Sequence, residues 1–168
     1  MRLRPYISAK DYQHVEKWIS DERTHSLWCA DRIPYPMTEV SLNDLLKREA
    51  EEWSGSAYVA TEDDGQPVGF FVYSVNAVNN EGFLRFIVVD SAKRGKGYGF
   101  QMLKLAQKYA FEVTGAASVH LNVFDVNESA KKCYSKAGFT EQWIDKDAFT
   151  HKEESWGRCH MAAEKKCT

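Results

Sequence analysis

Three glycines at alternate positions, Gly95, Gly97 and Gly99, separate a stretch that reads as a strand from one that reads as a helix. The segment is Val88-Val89-Asp90-Ser91-Ala92-Lys93-Arg94-Gly95-Lys96-Gly97-Tyr98-Gly99-Phe100. Glycines there let a backbone come close to a ligand and aim several N–H groups at it, and the start of a helix adds partial positive charge. Lys93, Arg94 and Lys96 carry the same sign, so the turn has the chemistry of a phosphate or pyrophosphate cradle. A Walker loop needs Gly-x-x-x-x-Gly-Lys-Ser/Thr, which is absent. A dinucleotide fold needs Gly-x-Gly-x-x-Gly after the first strand of a parallel sheet, whereas this turn lies mid-chain and Phe100 stands at the third position. Arg94, Gly97 and Gly99 do meet a third pattern, Arg/Gln-x-x-Gly-x-Gly/Ala. Taken alone, that pattern also suits a purely structural turn.

Residues 2–7 read as a strand, and 9–20 as an amphipathic helix with Tyr12, Val15, Trp18 and Ile19 on one face. Residues 21–37 read as irregular. Glu39 favours a helix start, with Thr38 and Ser41 a poor capping box, and that helix is expected to run to about Trp53. Strands are expected over 56–62 and 67–75, joined by the turn Glu62-Asp63-Asp64-Gly65-Gln66, and again over 82–89. A helix follows from Gly97 to Thr114, stopped by Gly115. A strand at 117–124, a helix at 128–137 capped by Gly138, and strands at 139–144 and 156–163 complete the chain. The order is β-α-α-β-β-β-α-β-α-β-β: one α/β (α+β) domain over 1–168, with a central mixed, mostly antiparallel sheet of about seven strands and about four helices.

Other function classes find little support. Cys29, Cys133, Cys159 and Cys167 are scattered without a Cys-x-x-Cys pair, and the five histidines show no His-x-x-x-His spacing, so free thiols and no metal site are expected. A net charge of −2 gives no general affinity for nucleic acid. The charge is uneven: residues 1–64 hold 13 acidic and 8 basic side chains, whereas 85–108 hold six basic ones against Asp90 alone. The longest apolar run, Phe83 to Val89, is broken by Arg85 and too short to cross a bilayer. The first residues lack the apolar stretch of a signal peptide, so the expected compartment is the cytoplasm.

Downstream of the turn stands Asn127-x-x-Ala130-x-x-x-Tyr134-x-x-x-Gly138-Phe139. With Val89 five positions before Arg94, the two motifs and the element order over residues 2–163 resemble the GNAT superfamily of acetyl-CoA-dependent acyltransferases. The resemblance implies the GNAT fold, with a splay between the two middle strands, and acetyl-CoA as co-substrate. It implies that the backbone of Ile87, Val88 and Val89 pairs with the pantetheine amides. The N–H groups of Gly95, Lys96, Gly97, Tyr98, Gly99 and Phe100 would hold the pyrophosphate, with Arg94 at the mouth; Lys96 is equally read as a solvated side chain. Asn127 would touch the cofactor or cap the next helix. Tyr134 would protonate the leaving thiolate, its plain alternative being a core aromatic.

The implied reaction is direct attack of a neutral amine on the thioester carbonyl. Its base is unassigned, because Asn122 and Phe83 stand where relatives carry glutamates, leaving water, Glu81 or an acceptor-side group. Cys133 beside Tyr134 has no histidine partner in sequence, which disfavours a covalent route. The acceptor site would be built mostly by the first two helices, their loop and the last hairpin, rich in Trp28, Tyr35, Trp53, Asp21, Glu22, Asp31, Trp143 and Trp156. An acidic, aromatic pocket suits a small cationic amine or a peptide N-terminus. Leu3-Arg4-Pro5 resembles the branch acting on ribosomal-protein N-termini, polyamines or aminoglycosides. The expected partner is that small-molecule or peptide acceptor, without nucleic acid or membrane, and the resemblance leaves a homodimer open. An acetyl-CoA-binding regulatory module without turnover, or a structural interaction domain, are the rival readings.

Overall fold

The computed structural model describes residues 1–166. Seven strands form one sheet in the order β1-β2-β3-β4-β5-β7-β6. They are β1 (Arg2–Pro5), β2 (Ser56–Thr61), β3 (Pro67–Asn76), β4 (Glu81–Val89), β5 (Ser118–Phe124), β6 (Thr140–His151) and β7 (Glu154–Glu164). Every neighbouring pair is antiparallel except β4 with β5, which are joined through a helix and run parallel. The helices are α1 (Ser8–Trp18), α2 (Glu22–Cys29), α3 (Glu39–Trp53), α4 (Tyr98–Lys108) and α5 (Glu128–Lys136). A short 3-10 turn covers Ser91–Lys93.

The sheet is buried on both faces, and β3 shows why. Its residues Val68 to Ser74 are all buried, with Phe70 and Val72 turned toward α1–α3 and Phe71 and Tyr73 toward α4 and α5. Two cores result. One holds Val15, Trp18, Leu42, Leu45 and Val88; the other holds Met102, Leu103, Leu121, Tyr134 and Phe139.

The elements depart from the sequence reading at four places. Residues 22–29 form a helix, making five rather than four. Asp21 caps it by accepting from the Thr24 N–H at 2.8 Å, but eight residues are too few for a clear apolar period. Thr38 and Ser41 do make a reciprocal capping box, Ser41 replacing the usual longer side chain: its N–H donates to Thr38 Oγ1 at 3.1 Å, and its Oγ accepts from the Thr38 N–H at 2.9 Å. The helix expected to continue to Thr114 widens into a π turn over Tyr109–Val113. That turn sets Tyr109 against Tyr58 and Tyr73, with ring centroids 5.4 and 5.7 Å apart. The final hairpin runs to His151 and starts again at Glu154, longer than expected because its outer stretch is polar and exposed. Cys167 lies outside the described residues; Cys29, Cys133 and Cys159 are free thiols. No helix is long and apolar enough to cross a membrane, and no cluster of metal-ligating side chains occurs among the described residues.

The corner between β1 and α1 is fixed by charge. Asp11 is fully buried and accepts from Arg4 Nη1 and Nη2 at 2.8 and 2.7 Å and from the Ile7 N–H at 2.8 Å. Burial pushes the carboxyl up, but the Arg4 guanidinium and the Ile7 N–H outweigh it and hold the carboxyl below its ordinary value. A depressed carboxyl contributes stability above its unfolded pKa and loses it as pH falls through the folded value. Asp11→Asn should therefore cost about 2–3 kcal/mol near pH 7, the range for charge-assisted hydrogen bonds. In urea melts, the gap between variant and parent should narrow as pH falls below about 4.

Candidate active site

The parallel pair at the middle of the sheet is short. Glu81 to Leu84 of β4 pair with Ser118 to Leu121 of β5. Beyond that, β4 runs on to Val89 against β3 alone, and Asn122 to Phe124 pair with β7 alone. The two strands diverge into a fork. On β4 the Asp90 N–H donates to Val68 at 2.9 Å, and Val88 is in register with Phe70. Antiparallel alternation then turns the backbone groups of Ile87 and Val89 away from β3, into the fork. Val88 faces the other way with its backbone, and its side chain lies in the α1–α3 core.

A bulge sits inside the fork. The register with β3 shifts between Phe70 and Val72, and Phe86 takes φ +53°, a left-handed conformation costly for a bulky residue. The extra residue breaks the alternation. Phe86 and Val88 pack toward α1–α3, whereas Leu84, Ile87 and Val89 pack toward α4 and α5. The Trp28 indole N–H holds the bulge by donating to the Phe86 carbonyl at 2.8 Å.

The glycine turn lies at the open end of β4. Gly95 and Gly97 have φ +75° and +83°, and a Cβ added at either would meet no protein atom within 4 Å. Gln101 makes the first bond of α4, to the Gly97 carbonyl at 3.0 Å. The N–H groups of Tyr98, Gly99 and Phe100 therefore have no acceptor in the helix, and glycine as N-cap offers no side-chain one. Arg94, Gly95 and Lys96 are exposed beside them. Lys93 and the Tyr98 hydroxyl are both committed to Glu62, which anchors the turn to the β2–β3 hairpin. Tyr98 thus offers a ligand its backbone, and Lys93 adds little free charge. This geometry fits an anionic phosphate group, received by open N–H donors with Arg94 and Lys96 alongside.

Helix α5 packs tightly against the cradle. Gly99 allows it, because a Cβ there would sit 3.1 Å from Cys133 Sγ. Asn127 caps α5, accepting from the Ala130 N–H at 3.3 Å. Tyr134 shares one core cluster with Leu84, Leu121 and Val123 at the fork, and with Ile87, Val89, Tyr98 and Cys133 at its margin. Its hydroxyl makes no hydrogen bond among the described residues, and burial pushes the phenol well above its ordinary value. Burial also raises the Cys133 thiol, which opposes a thiolate nucleophile there.

On the opposite face of the fork is a cavity of about 270 Å³. Trp28, Phe83, Phe86 and Phe124 supply apolar wall, and Arg32, Arg85, Arg158 and Asn122 supply polar wall. The acidic pocket expected from residues 1–64 is not built here. Asp21 is spent on capping α2, Asp31 accepts from Ser26 Oγ at 2.7 Å, and Glu22 pairs with Lys152 at 3.2 Å. Trp156 is fully buried, and Trp53 carries the Arg85 guanidinium 5.3 Å over its ring. Arg32 donates to the buried Glu49 at 2.6 Å, Arg85 lies 3.7 Å from that carboxylate, and Arg158 pairs with Asp145 at 2.8 Å. The Phe86 bulge and this arginine lining carried no signal in the sequence, because both arise from contacts between distant segments.

The sequence model of the acetyltransferase (GNAT) family matches residues 12–139. The chain is similar to a mycothiol acetyltransferase of Nocardiopsis dassonvillei, 30% identical over 148 residues, which cover 83% of this chain and 42% of that protein. It is similar also to a streptothricin acetyltransferase of Streptomyces lavendulae, 34% identical over 97 residues, 58% of this chain and 51% of that one. The chain spans about half the length of these curated relatives. Among solved structures, spermidine N-acetyltransferase from Vibrio cholerae in complex with CoA and spermine shares the fold, with a TM-score of 0.82 at 18% identity over 97% of this chain and 94% of that one. With a family match that runs from α1 through the fork and the cradle to Phe139, the chain belongs to the acetyltransferase (GNAT) family.

Proposed function

We propose that this protein is an N-acetyltransferase that moves an acetyl group from acetyl-CoA to a primary amine by direct attack, the amine belonging to a small molecule or a peptide N-terminus. The observation that carries the reading is the continuity of cradle and fork. Open N–H donors at Tyr98, Gly99 and Phe100 lead along Val89 and Ile87, whose backbone groups face the gap, to a strained bulge at Phe86. The pyrophosphate of acetyl-CoA would lie on the cradle, with Arg94 at its mouth, and the pantetheine amides would add to the free edge of β4. Acetyl-CoA supplies the activated acyl group; the protein's part is to orient it, exclude water and move protons. Tyr134 stays a phenol at any working pH and can donate as the C–S bond breaks. Free coenzyme A release across a broad amine panel tests the whole reading. Tight acetyl-CoA binding with no release by any amine would mark a regulatory module instead.

Gly97→Val should weaken coenzyme A binding at least about tenfold, equivalent to ~1.4 kcal/mol. A Cβ at Gly97 meets no protein atom within 4 Å, so the valine side chain would extend into the open space where the phosphate would lie. Gly65→Val controls for backbone strain, because Gly65 also has positive φ and open surroundings but lies in the β2–β3 turn. Calorimetric titration of both variants decides the matter: equal affinity in Gly97→Val and the parent would reject the cradle.

Tyr134→Phe should retain coenzyme A affinity and melting temperature, because the hydroxyl leaves no protein partner behind. Turnover should fall by ~10²-fold or more, as for loss of a general acid. An unchanged rate would make Tyr134 a core aromatic only.

The arginine wall bears on the acceptor. Arg32, Arg85 and Arg158 are offset by Glu49 and Asp145, leaving a positive excess that supports a peptide or amino-acid amine over a polyamine. At low salt, kcat/KM for such an amine should exceed that for spermidine at least about tenfold, and added salt should narrow the difference by screening. Spermidine as the best acceptor at every ionic strength would reverse this choice.

A further inference from the structure

Two guanidiniums in the cavity wall share one carboxylate. Arg85 is the first residue of β4 beyond its last pair with β5, Leu84 with Leu121, so it stands where the fork opens. Arg32 reaches the same cavity from the loop that follows α2. Glu49 of α3 faces both and is fully buried. One of its oxygens accepts from Arg32 Nη1 at 2.6 Å; the other has no donor, the nearest being Arg85 Nε at 3.7 Å. Most of the arginine donors stay open. Among the described residues, the Arg32 side chain makes no other hydrogen bond, and Arg85 makes one, from Nη1 to Ser74 Oγ at 2.7 Å. Rings hold the Arg85 guanidinium in place, Phe83 at 4.4 Å and Trp53 at 5.3 Å. The other polar groups of the wall are engaged. Arg158 pairs with Asp145 at the exposed rim, and Asn122 gives its amide oxygen to a row that closes on itself. That row runs from Asn122 to His160 Nδ1 at 2.9 Å, from His160 Nε2 to His120 Nδ1 at 2.9 Å, and from His120 Nε2 to Ser118 Oγ at 2.8 Å.

We infer that Arg85 and Arg32 bind a carboxylate of the acceptor, which makes the substrate a free α-amino acid with an apolar side chain. The inference rests on the N-acetyltransferase reading and narrows it. Two guanidiniums against Glu49 alone leave one unit of positive charge, and a single carboxylate closes it to zero. The planar guanidinium offers that group parallel N–H donors. A polyamine would add to the charge already unmet, and a peptide N-terminus has no carboxylate directly beside its amine. Because Arg85 stands where the fork opens, a carboxylate on it leaves only a short arm to the thioester end of the fork. An amine one carbon away fits that arm, and the side chain would face the apolar wall of Trp28, Phe86 and Phe124.

The surroundings of Arg85 favour an added anion. Burial lowers its pKa, Glu49 works in the opposite direction, and Arg32 lowers it again. An arginine keeps its proton all the same, so the charge persists without full compensation. The Arg85 side chain is 19% exposed and that of Arg32 35%, which leaves both open to the cavity but only partly screened by solvent. The phosphates of the cofactor do not compete for this site. Their cradle lies at the start of α4, whereas Arg85 points to Glu49 and Trp53 of α3 on the other face of the sheet.

The test compares amines matched in all but the carboxylate, by free coenzyme A release at saturating acetyl-CoA. One set is leucine, leucinamide and isoamylamine; the other is phenylalanine, phenylalaninamide and phenethylamine. In at least one set the amino acid should exceed its amide and its decarboxylated amine by ~30-fold or more in kcat/KM, as for loss of one side of a buried charge pair. The amide has the less basic amine, with more of it neutral, so the comparison is weighted against the inference. Arg85→Gln should bring the ratio of amino acid to amide close to one, and Arg32→Gln should lower it in part. A merely structural arginine would slow every amine alike and keep the ratio. Calorimetric titration into the parent saturated with coenzyme A reads the same preference without turnover, and needs no variant to fold. If neither amino acid outruns its amide, or if the preference survives in a folded Arg85→Gln, the inference is wrong and the acetyltransferase reading stands. If no amine of any kind releases coenzyme A, that reading falls and the inference falls with it.

Discussion

The architecture turns on a pairing that stops early. A parallel strand pair forms four registered partners, Glu81 to Leu84 with Ser118 to Leu121, and then separates. Backbone N–H and C=O groups inside a protein are costly to leave unpaired, so a fork is unfavourable unless something occupies it. The antiparallel pairs on either side hold it open. β4 is tied outward to β3 and β5 outward to β7, each over more residues than the central pair shares. What remains is a strip of strand edge on Ile87 and Val89 in the middle of a sheet, where an extended ligand with its own amides can act as the missing strand.

The bulge at Phe86 adds a division of labour. Because the extra residue breaks the alternation of β4, the strand can send Arg85 and Phe86 toward the α1–α3 face and Ile87 and Val89 toward the cradle face. Positive φ at a phenylalanine costs roughly 1–3 kcal/mol and persists only where surroundings fix it. Here they do: the Phe86 ring is packed against Trp28 at 5.6 Å and under Arg32 at 5.5 Å, while the Trp28 indole holds its carbonyl. Helix α2 is thereby tied to the fork. A change in α2 would be felt at the bulge before it was felt in the sheet.

Local chemistry was legible in the sequence and long-range pairing was not. The turn from Arg94 to Gly99 could be read as a turn because its positive φ at Gly95 and Gly97 needs the backbone freedom that glycine spacing reveals directly. The helix at Glu128–Lys136 was readable through Asn127 and Gly138, whose roles are local. The helix at Glu22–Cys29 was missed because its buried face includes His25 and Ser26, polar residues that hide the period. The acidic balance of residues 1–64 misled for a related reason. Composition counts charges without their partners, and Asp11, Asp21 and Glu49 are spent on Arg4, the α2 cap and Arg32. The row from Asn122 to Ser118 needs the β5–β7 register, which joins residues about forty positions apart.

The same register gives the two faces of the fork unlike surroundings. Alternation on β5 turns Leu121 and Val123 into the core behind the cradle, next to Tyr134, and His120 and Asn122 to the other side, next to His160. One strand thickness of sheet separates Tyr134 from that polar row. The phenol lies in an apolar core that favours its protonated form, and the His160 imidazole lies in a polar row where partial burial, and after it the neighbouring His120, favour its unprotonated form. Each group is thus held in one protonation state by its own surroundings, without either having to sense the other.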